Sequence, residues 1–290
     1  MLLGYSRQAY YQGIKHHQRQ ALEDDLVVAE VLRYRFIQKR LGTRKLYQEM
    51  QPFLAAHGIK MGRDALFGLL ADRNLLVRKR RNRKPITTLS RHRYRKYPNL
   101  IKGYDPIAPN HLWVSDITYI SVADGYAYLS LITDAYSRKI VGYCLRKDLQ
   151  AAGPLSALQM ALSQTPDTSL LIHHSDRGTQ YCCYEYEALL THPKNRIKMS
   201  MTETGDPLEN AIAERVNGIL KGELLQEHYP DYETAAIDIQ VAVNTYNYLR
   251  PHSSINYLKP FEAHQTSGAL PRKWKNYYII KKRKEEPVKS

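Results

Sequence analysis

The hydrophobic period of this chain switches at His111, and that switch most constrains its fold. From there HLWVSDITYISV alternates apolar and polar residues, as a half-buried strand does. Ala123-Asp124-Gly125 is a turn signal, YAYLSLITDA its partner strand and SRKIVGYCL a third strand. Helical spacing follows in GPLSALQMALSQ, then a short apolar strand in SLLIHH, a helix from about Tyr184, a strand in IKMSM and a helix after Pro207. The order predicts an α/β domain, a mixed five-stranded sheet with helices on its faces. A long helix is expected from Tyr232 to Tyr248.

Upstream of the switch, residues 20–75 read as helical. ALEDDLVVAEVLRYRFIQKR spaces its apolar residues at helical intervals, LGTRKLYQEMQPFLAAHG gives a second segment closed by Gly58, and GRDALFGLLADRNLL a third. Three short helices with tight links suit a helix-turn-helix module, and a plain three-helix bundle reads the same way. Between the two patterns, Arg78 to Lys96 holds ten Lys or Arg and no acidic residue. A solvated tether needs no such uniform sign, so this linker is expected to contact phosphates. The division that follows is a helical region over 1–76, a basic linker over 77–105, a core over 106–266 and a basic tail over 267–290.

Charge narrows the partners. Lys and Arg outnumber Asp and Glu by 43 to 28, a net charge of +15. A chain this basic meets a polyanion, and nucleic acid is the commonest. No basic amphipathic helix with a bulky apolar face points to a membrane surface, and no stretch spans a bilayer. Three cysteines, Cys144, Cys182 and Cys183, with no CxxC pair, argue against a zinc knuckle or a disulfide framework and suit a reducing cytosol. MLLGYSRQAYYQ lacks an apolar segment of signal-peptide length, so a cytoplasmic, nucleoid-associated location is expected.

Three carboxylates stand out. Asp116 sits inside the first strand, where Asp is disfavoured and a buried charge needs a partner or a metal; an edge-strand Asp facing water is the bland alternative. Asp176 follows an apolar strand in HHSDRGTQY, where α/β sheets gather ligands, although a loop Asp capping the next turn reads similarly. Glu214 lies on the helix after Pro207, turned away from the stripe Leu208, Ile212, Val216, Ile219 and Leu220, on nearly the same side as Asn210, Asn217 and Lys221. Alone that is a solvated face. Together, two Asp and one Glu suit a hard ion such as Mg²⁺ or Mn²⁺, and a pair of such ions about 4 Å apart serves phosphodiester cleavage. No GxSxG or Walker-type motif offers another chemistry.

At these residues the chain resembles the DDE transposases of the insertion-sequence-three family (second reading frame), within the retroviral integrase superfamily. LGYSRQAYYQ resembles the opening segment, and LGTRKLYQEM with GIKMGRDALFGLLADRNLL the helix-turn-helix region. WVSDITYI with YLSLITDAYSRKIVGY, HHSDRGTQY and GDPLENAIAERVNGILKGE resemble the three catalytic segments, and YNYLRPHSSINYLKPFEA the C-terminal signature. The resemblance implies an RNase H-like catalytic core, Asp116, Asp176 and Glu214 as the metal-binding triad with two Mg²⁺ or Mn²⁺ ions, and Lys221, Arg250 and His252 near DNA; the charge of the linker separately marks Arg80, Arg81, Arg83 and Lys84 as expected phosphate contacts. The step from Asp176 to Glu214 is somewhat longer than is usual in the family, which makes Glu209 the rival third carboxylate. Glu214 is preferred because Lys221 follows it by seven residues, whereas position 216 is Val.

The activity implied is metal-dependent strand cleavage and strand transfer at insertion-sequence ends. The expected partners are terminal-repeat and target DNA, further copies of the chain in a homo-oligomer on DNA, and an upstream-frame DNA-binding protein, fused or separate. Two rivals are a structure-specific nuclease of the same fold, which would not need a helix-turn-helix reader, and a DNA-binding regulator with a dead core, which would not need all three carboxylates.

Overall fold

The structure, a computed structural model, describes residues 7–78, 93–203 and 207–270. Residues 79–92, which include Arg80, Arg81, Arg83 and Lys84, and the tail from 271 lie outside these.

Among the described residues the N-terminal region forms four helices rather than three: α1 (Arg7–Ile37), α2 (Thr43–Glu49), α3 (Gln51–Ala56) and α4 (Arg63–Asp72). The second expected helix breaks at Met50 because Pro52, in the first turn of α3, has no N–H to continue the ladder. Gly58, at φ 65°, then closes α3 in the left-handed conformation, and Ile59 N–H donates back to Leu54 O at 2.9 Å. Val27, Val31, Leu46, Met50, Leu54, Leu66 and Leu70 form one buried core among these helices. Helix α1 starts well before the expected residue 20. Its first turns are almost wholly exposed, so they carry no burial pattern to read.

The second unit is a five-stranded sheet in the order β3-β2-β1-β4-β5, built from β1 (Leu112–Val122), β2 (Gly125–Asp134), β3 (Ile140–Arg146), β4 (Ile172–Ser175) and β5 (Lys198–Met201). β1, β2 and β3 are antiparallel, whereas β4 runs parallel to β1 and β5 parallel to β4. The mixed five-stranded sheet is the one expected; its strand order was not legible in the sequence. β4 starts later than SLLIHH suggested, because Leu170 stays exposed in the preceding turn while Leu171 is buried.

Both faces of the sheet are covered, which places β1 in the interior. On one face Trp113, Ile132 and Val141 pack under α5 (Ala152–Ser163) and α7 (Tyr184–Thr191), which follows the short α6 (Thr179–Cys182). Gly142 permits the close approach of α5, since a Cβ there would lie 2.1 Å from Ala157 O. On the other face Ile120, Leu129 and Leu131 pack against Val216 and Ile219 of α8 (Ala211–Ile219) and Ile239 and Val243 of α9 (Tyr232–Asn244). The buried stripe of α8 runs through Ala213, Val216, Asn217 and Ile219; Ile212 is only partly buried, a small rotation from the predicted stripe. α8 continues into a π-helical turn, Leu220–Leu224, α9 into another, Thr245–Leu249, and α10 (Pro260–Ala263) follows. The helical bundle touches this unit where Lys45 meets Glu223 and Gln38 donates to Leu249 O at 3.2 Å. Among the described residues no helix is long and apolar enough to cross a membrane.

Candidate active site

β1 is hydrogen-bonded on both edges, to β2 and to β4, and its even-numbered side chains face α8, most of them buried and Asp116 half-buried. Leu112 and Val114 meet Ala213 there, and Ile120 joins Val216 further along. Asp116 falls between these two apolar contacts. Its Oδ1 accepts from Ile117 N–H at 2.9 Å and its Oδ2 from Asn217 Nδ2 at 2.7 Å. Burial pushes its carboxyl up to about 7, the Asp176 carboxylate adds to the rise and Glu214 contributes further, while the two hydrogen bonds oppose it. Because β1 lies between β2 and β4, Asp116 is not on an edge strand.

β4 brings in the second carboxylate. Val114 pairs with His174; Asp116 follows two residues later on β1, and Asp176 two residues later just beyond the end of β4. Asp176 Oδ1 accepts from Gly178 N–H at 3.0 Å, an Asx-turn that fixes the carboxylate at the strand end. Behind this pair, His173 Nε2 lies 2.8 Å from Ser115 Oγ and 3.0 Å from Tyr186 OH, tying β1, β4 and α7 together in the core.

The 3-10 turn before α8, α8 itself and its π-helical extension lie over β1 through three side-chain contacts. Asn210 Nδ2 donates to Ser115 O at 2.9 Å, Asn217 Nδ2 to Asp116, and Lys221 Nζ to Thr118 Oγ1 at 3.2 Å. Asn210, Asn217 and Lys221, expected on Glu214's side away from the buried stripe, face the sheet instead, while Glu214 is exposed, within electrostatic reach of Asp116. Asn217 was not among the sequence-predicted site residues; its place three residues after Glu214 was the signal that could have found it. Burial holds Lys221 below the usual lysine value, with Asp116 pulling the other way. The rival Glu209 is engaged elsewhere, its Oε2 accepting from Glu203 N–H at 2.7 Å.

Asp116, Asp176 and Glu214 share one electrostatic neighbourhood, but among the described residues no three His, Cys, Asp or Glu side chains close around a single point.

Arg250 and His252 do not sit where the sequence reading put them. Arg250 is 2% exposed and its guanidinium grips Glu223, with Nε to Oε2 and Nη2 to Oε1 both at 2.9 Å. His252 is buried beside it, its ring driven down to about 2 by burial and by Arg250, Arg138, Lys45 and Arg215. Both are interior residues in this structure, because a carboxylate on the extension of α8 takes the guanidinium that was expected to face DNA.

Sheet order and site together define an RNase H-like integrase core. Residues 106–207 match the integrase core domain family, and a second integrase core domain family matches residues 195–260. An insertion element IS600 uncharacterized 31 kDa protein from Shigella sonnei is 33% identical, covering 89% of this chain and 94% of its own. The transposase for insertion sequence element IS629 from the same organism is 30% identical over 86% of this chain and 83% of its own. Transposase InsF for insertion sequence IS3A of Escherichia coli (strain K12) is 33% identical over 52% and 53%. Among solved structures, the magnesium-bound HTLV-2 integrase catalytic core domain in its trimeric form shares 21% identity, with a TM-score of 0.44, over 56% of this chain and 100% of that one. The chain belongs to the DDE transposases of the insertion-sequence-three family, within the retroviral integrase superfamily.

Proposed function

We propose that Asp116, Asp176 and Glu214 are the catalytic triad of this transposase, holding two divalent ions, Mg²⁺ or Mn²⁺, for cleavage and strand transfer at insertion-sequence ends. The observation that carries the reading is the placement of Asp116: a carboxyl on the central strand, raised by burial and by a second carboxylate, with the helix of the third lying across it. The site's chemistry fits such ions. All three donors are oxygens, and the buried Asn217 Oδ1, on the amide that holds Asp116, has no partner. Bound there, the ions would activate the attacking oxygen and stabilise the leaving one.

The chain's own residues supply the rest. Asn217 and the Ile117 N–H fix the Asp116 carboxylate, and the Asx-turn at Gly178 fixes Asp176. Lys221, at the far side of Asp116, is the cation for a DNA phosphate near the site, and the basic linker with Arg80, Arg81, Arg83 and Lys84 supplies non-specific affinity. The net charge of +15 supports double-stranded DNA as the partner. Assembly as a homo-oligomer on DNA, an upstream-frame DNA-binding partner and a cytoplasmic location complete the proposal.

A strand-transfer assay with Mn²⁺, on DNA carrying the element's own ends, tests it. The reading expects end cleavage and joined products that vanish in excess chelator. Cleavage without joining would indicate a nuclease, and binding without either a regulator.

A further inference from the structure

Glu223 lies two residues beyond Lys221, in the π-helical turn that prolongs α8. Its carboxylate is held from two sides. Arg250 provides a two-pronged guanidinium fork, and Lys45, from α2 of the N-terminal bundle, reaches both oxygens at 3.0 and 3.1 Å. The side chains are 2%, 15% and 23% exposed for Arg250, Lys45 and Glu223. Gln38 at the end of α1 adds a bond to Leu249 O, one residue before Arg250.

Burying two cations around one carboxylate is a poor route to stability, since apolar residues of similar volume serve as well or better. What such a network fixes is geometry. Glu214, Asn217, Lys221 and Glu223 follow one another along a single helical rod, about 14 Å from first to last at 1.5 Å per residue. Asn217 and Lys221 must hold register with Asp116 and Thr118 on β1, and displacement of about 1 Å at a reacting centre lowers rates by about 100-fold.

Resting on the transposase reading above, we propose that Lys45 and Arg250 are positioning residues whose joint grip on Glu223 holds the catalytic helix in register over β1, so that the active site is complete only when the N-terminal bundle is docked. Engagement of the bundle and readiness for cleavage then become one event, and a chain whose bundle is displaced would be held inactive without any change in its carboxylates.

The test uses the full chain and the variant Lys45→Met, which keeps the apolar stem, removes the cation and leaves the Arg250–Glu223 pair intact, so that folding is preserved where Glu223→Gln would strand two buried cations. In the Mn²⁺ strand-transfer assay its kcat should fall about tenfold, while the DNA concentration giving half-maximal rate stays within about twofold. Hydrogen–deuterium exchange over residues 211–224 should rise while exchange in β1 to β3 is unchanged. Lys45→Arg should restore both. A wild-type kcat in Lys45→Met, a higher half-saturating DNA concentration at unchanged kcat, or unaltered exchange over 211–224 would each overturn the proposal; the second would make Lys45 a DNA contact. If the wild-type chain joins no DNA, the transposase reading fails, and the exchange measurement still decides the clamp.

Discussion

Asn217 Nδ2 lies 2.7 Å from Asp116 Oδ2, joining α8 to the middle of the central strand. The bond holds one carboxylate oxygen and leaves the other to the backbone N–H of Ile117. Groups that orient a metal-binding carboxylate in this way are worth about 10–100-fold in metal affinity or activity when removed. Asn217→Ala should therefore raise the Mn²⁺ concentration needed for half-maximal strand transfer by about that factor, read from a metal titration at saturating DNA. An unchanged titration would mean that Asp116 is positioned by the strand alone.

Metal choice follows from the oxygen-only donors. Mg²⁺ or Mn²⁺ should support cleavage and joining, whereas Ca²⁺, larger and more flexibly coordinated, should allow DNA binding with little or no chemistry. The comparison is a gel-shift alongside the joining assay in each ion. Full activity in Ca²⁺ would contradict this.

His252 makes stability depend on acid. Its folded value of about 2 lies far below the unfolded value of about 6.5. Below pH 6.5 the unfolded chain takes up a proton that the folded chain refuses, so stability falls as pH falls through that window. One such histidine contributes a slope of about 1.4 kcal/mol per pH unit. The groups facing it, Arg250, Arg138, Lys45 and Arg215, stay cationic throughout, so they do not relieve it. Denaturant unfolding between pH 6 and 4 should show a shallower loss in His252→Gln than in the wild type by about that amount. Parallel pH profiles would contradict the assignment.

The linker prediction is electrostatic. Replacing Arg80, Arg81, Arg83 and Lys84 with Gln should weaken binding to element ends and random duplex alike. If all four touch phosphate, the slope of log affinity against log salt becomes shallower by about 3–4 units, at about 0.9 per contact. An unchanged slope indicates a solvated tether, and a loss confined to element ends indicates sequence reading in the minor groove.

The sheet and the carboxylates could be read from the sequence because period-two alternation and an Asp in the middle of it are local signals. Asp116 announced itself by standing where strands disfavour Asp. Asn217 and Lys221 were grouped on one helical side by the 100° step, but that side was placed with Glu214 away from the buried stripe, whereas Asn217 is buried against the sheet and Glu214 is exposed. What was not legible is long-range. Nothing near Arg250 in the chain reveals that Glu223, 27 residues earlier, would take its guanidinium, so a motif arginine was read as a DNA contact. Lys45 meets Glu223 across 178 residues, beyond any periodicity. The early start of α1 was missed for the opposite reason: its first turns pack against nothing that leaves a pattern.

The triad is the central claim, and one set of variants tests it most directly. Asp116→Asn, Asp176→Asn and Glu214→Gln nearly keep shape while each removes a charged metal ligand. In the Mn²⁺ strand-transfer assay each should abolish cleavage and joining with DNA binding largely retained, and Glu209→Gln, whose carboxylate caps the Glu203 N–H, should be much milder. A Glu214→Gln chain that still joins strands at near the wild-type rate would contradict the account.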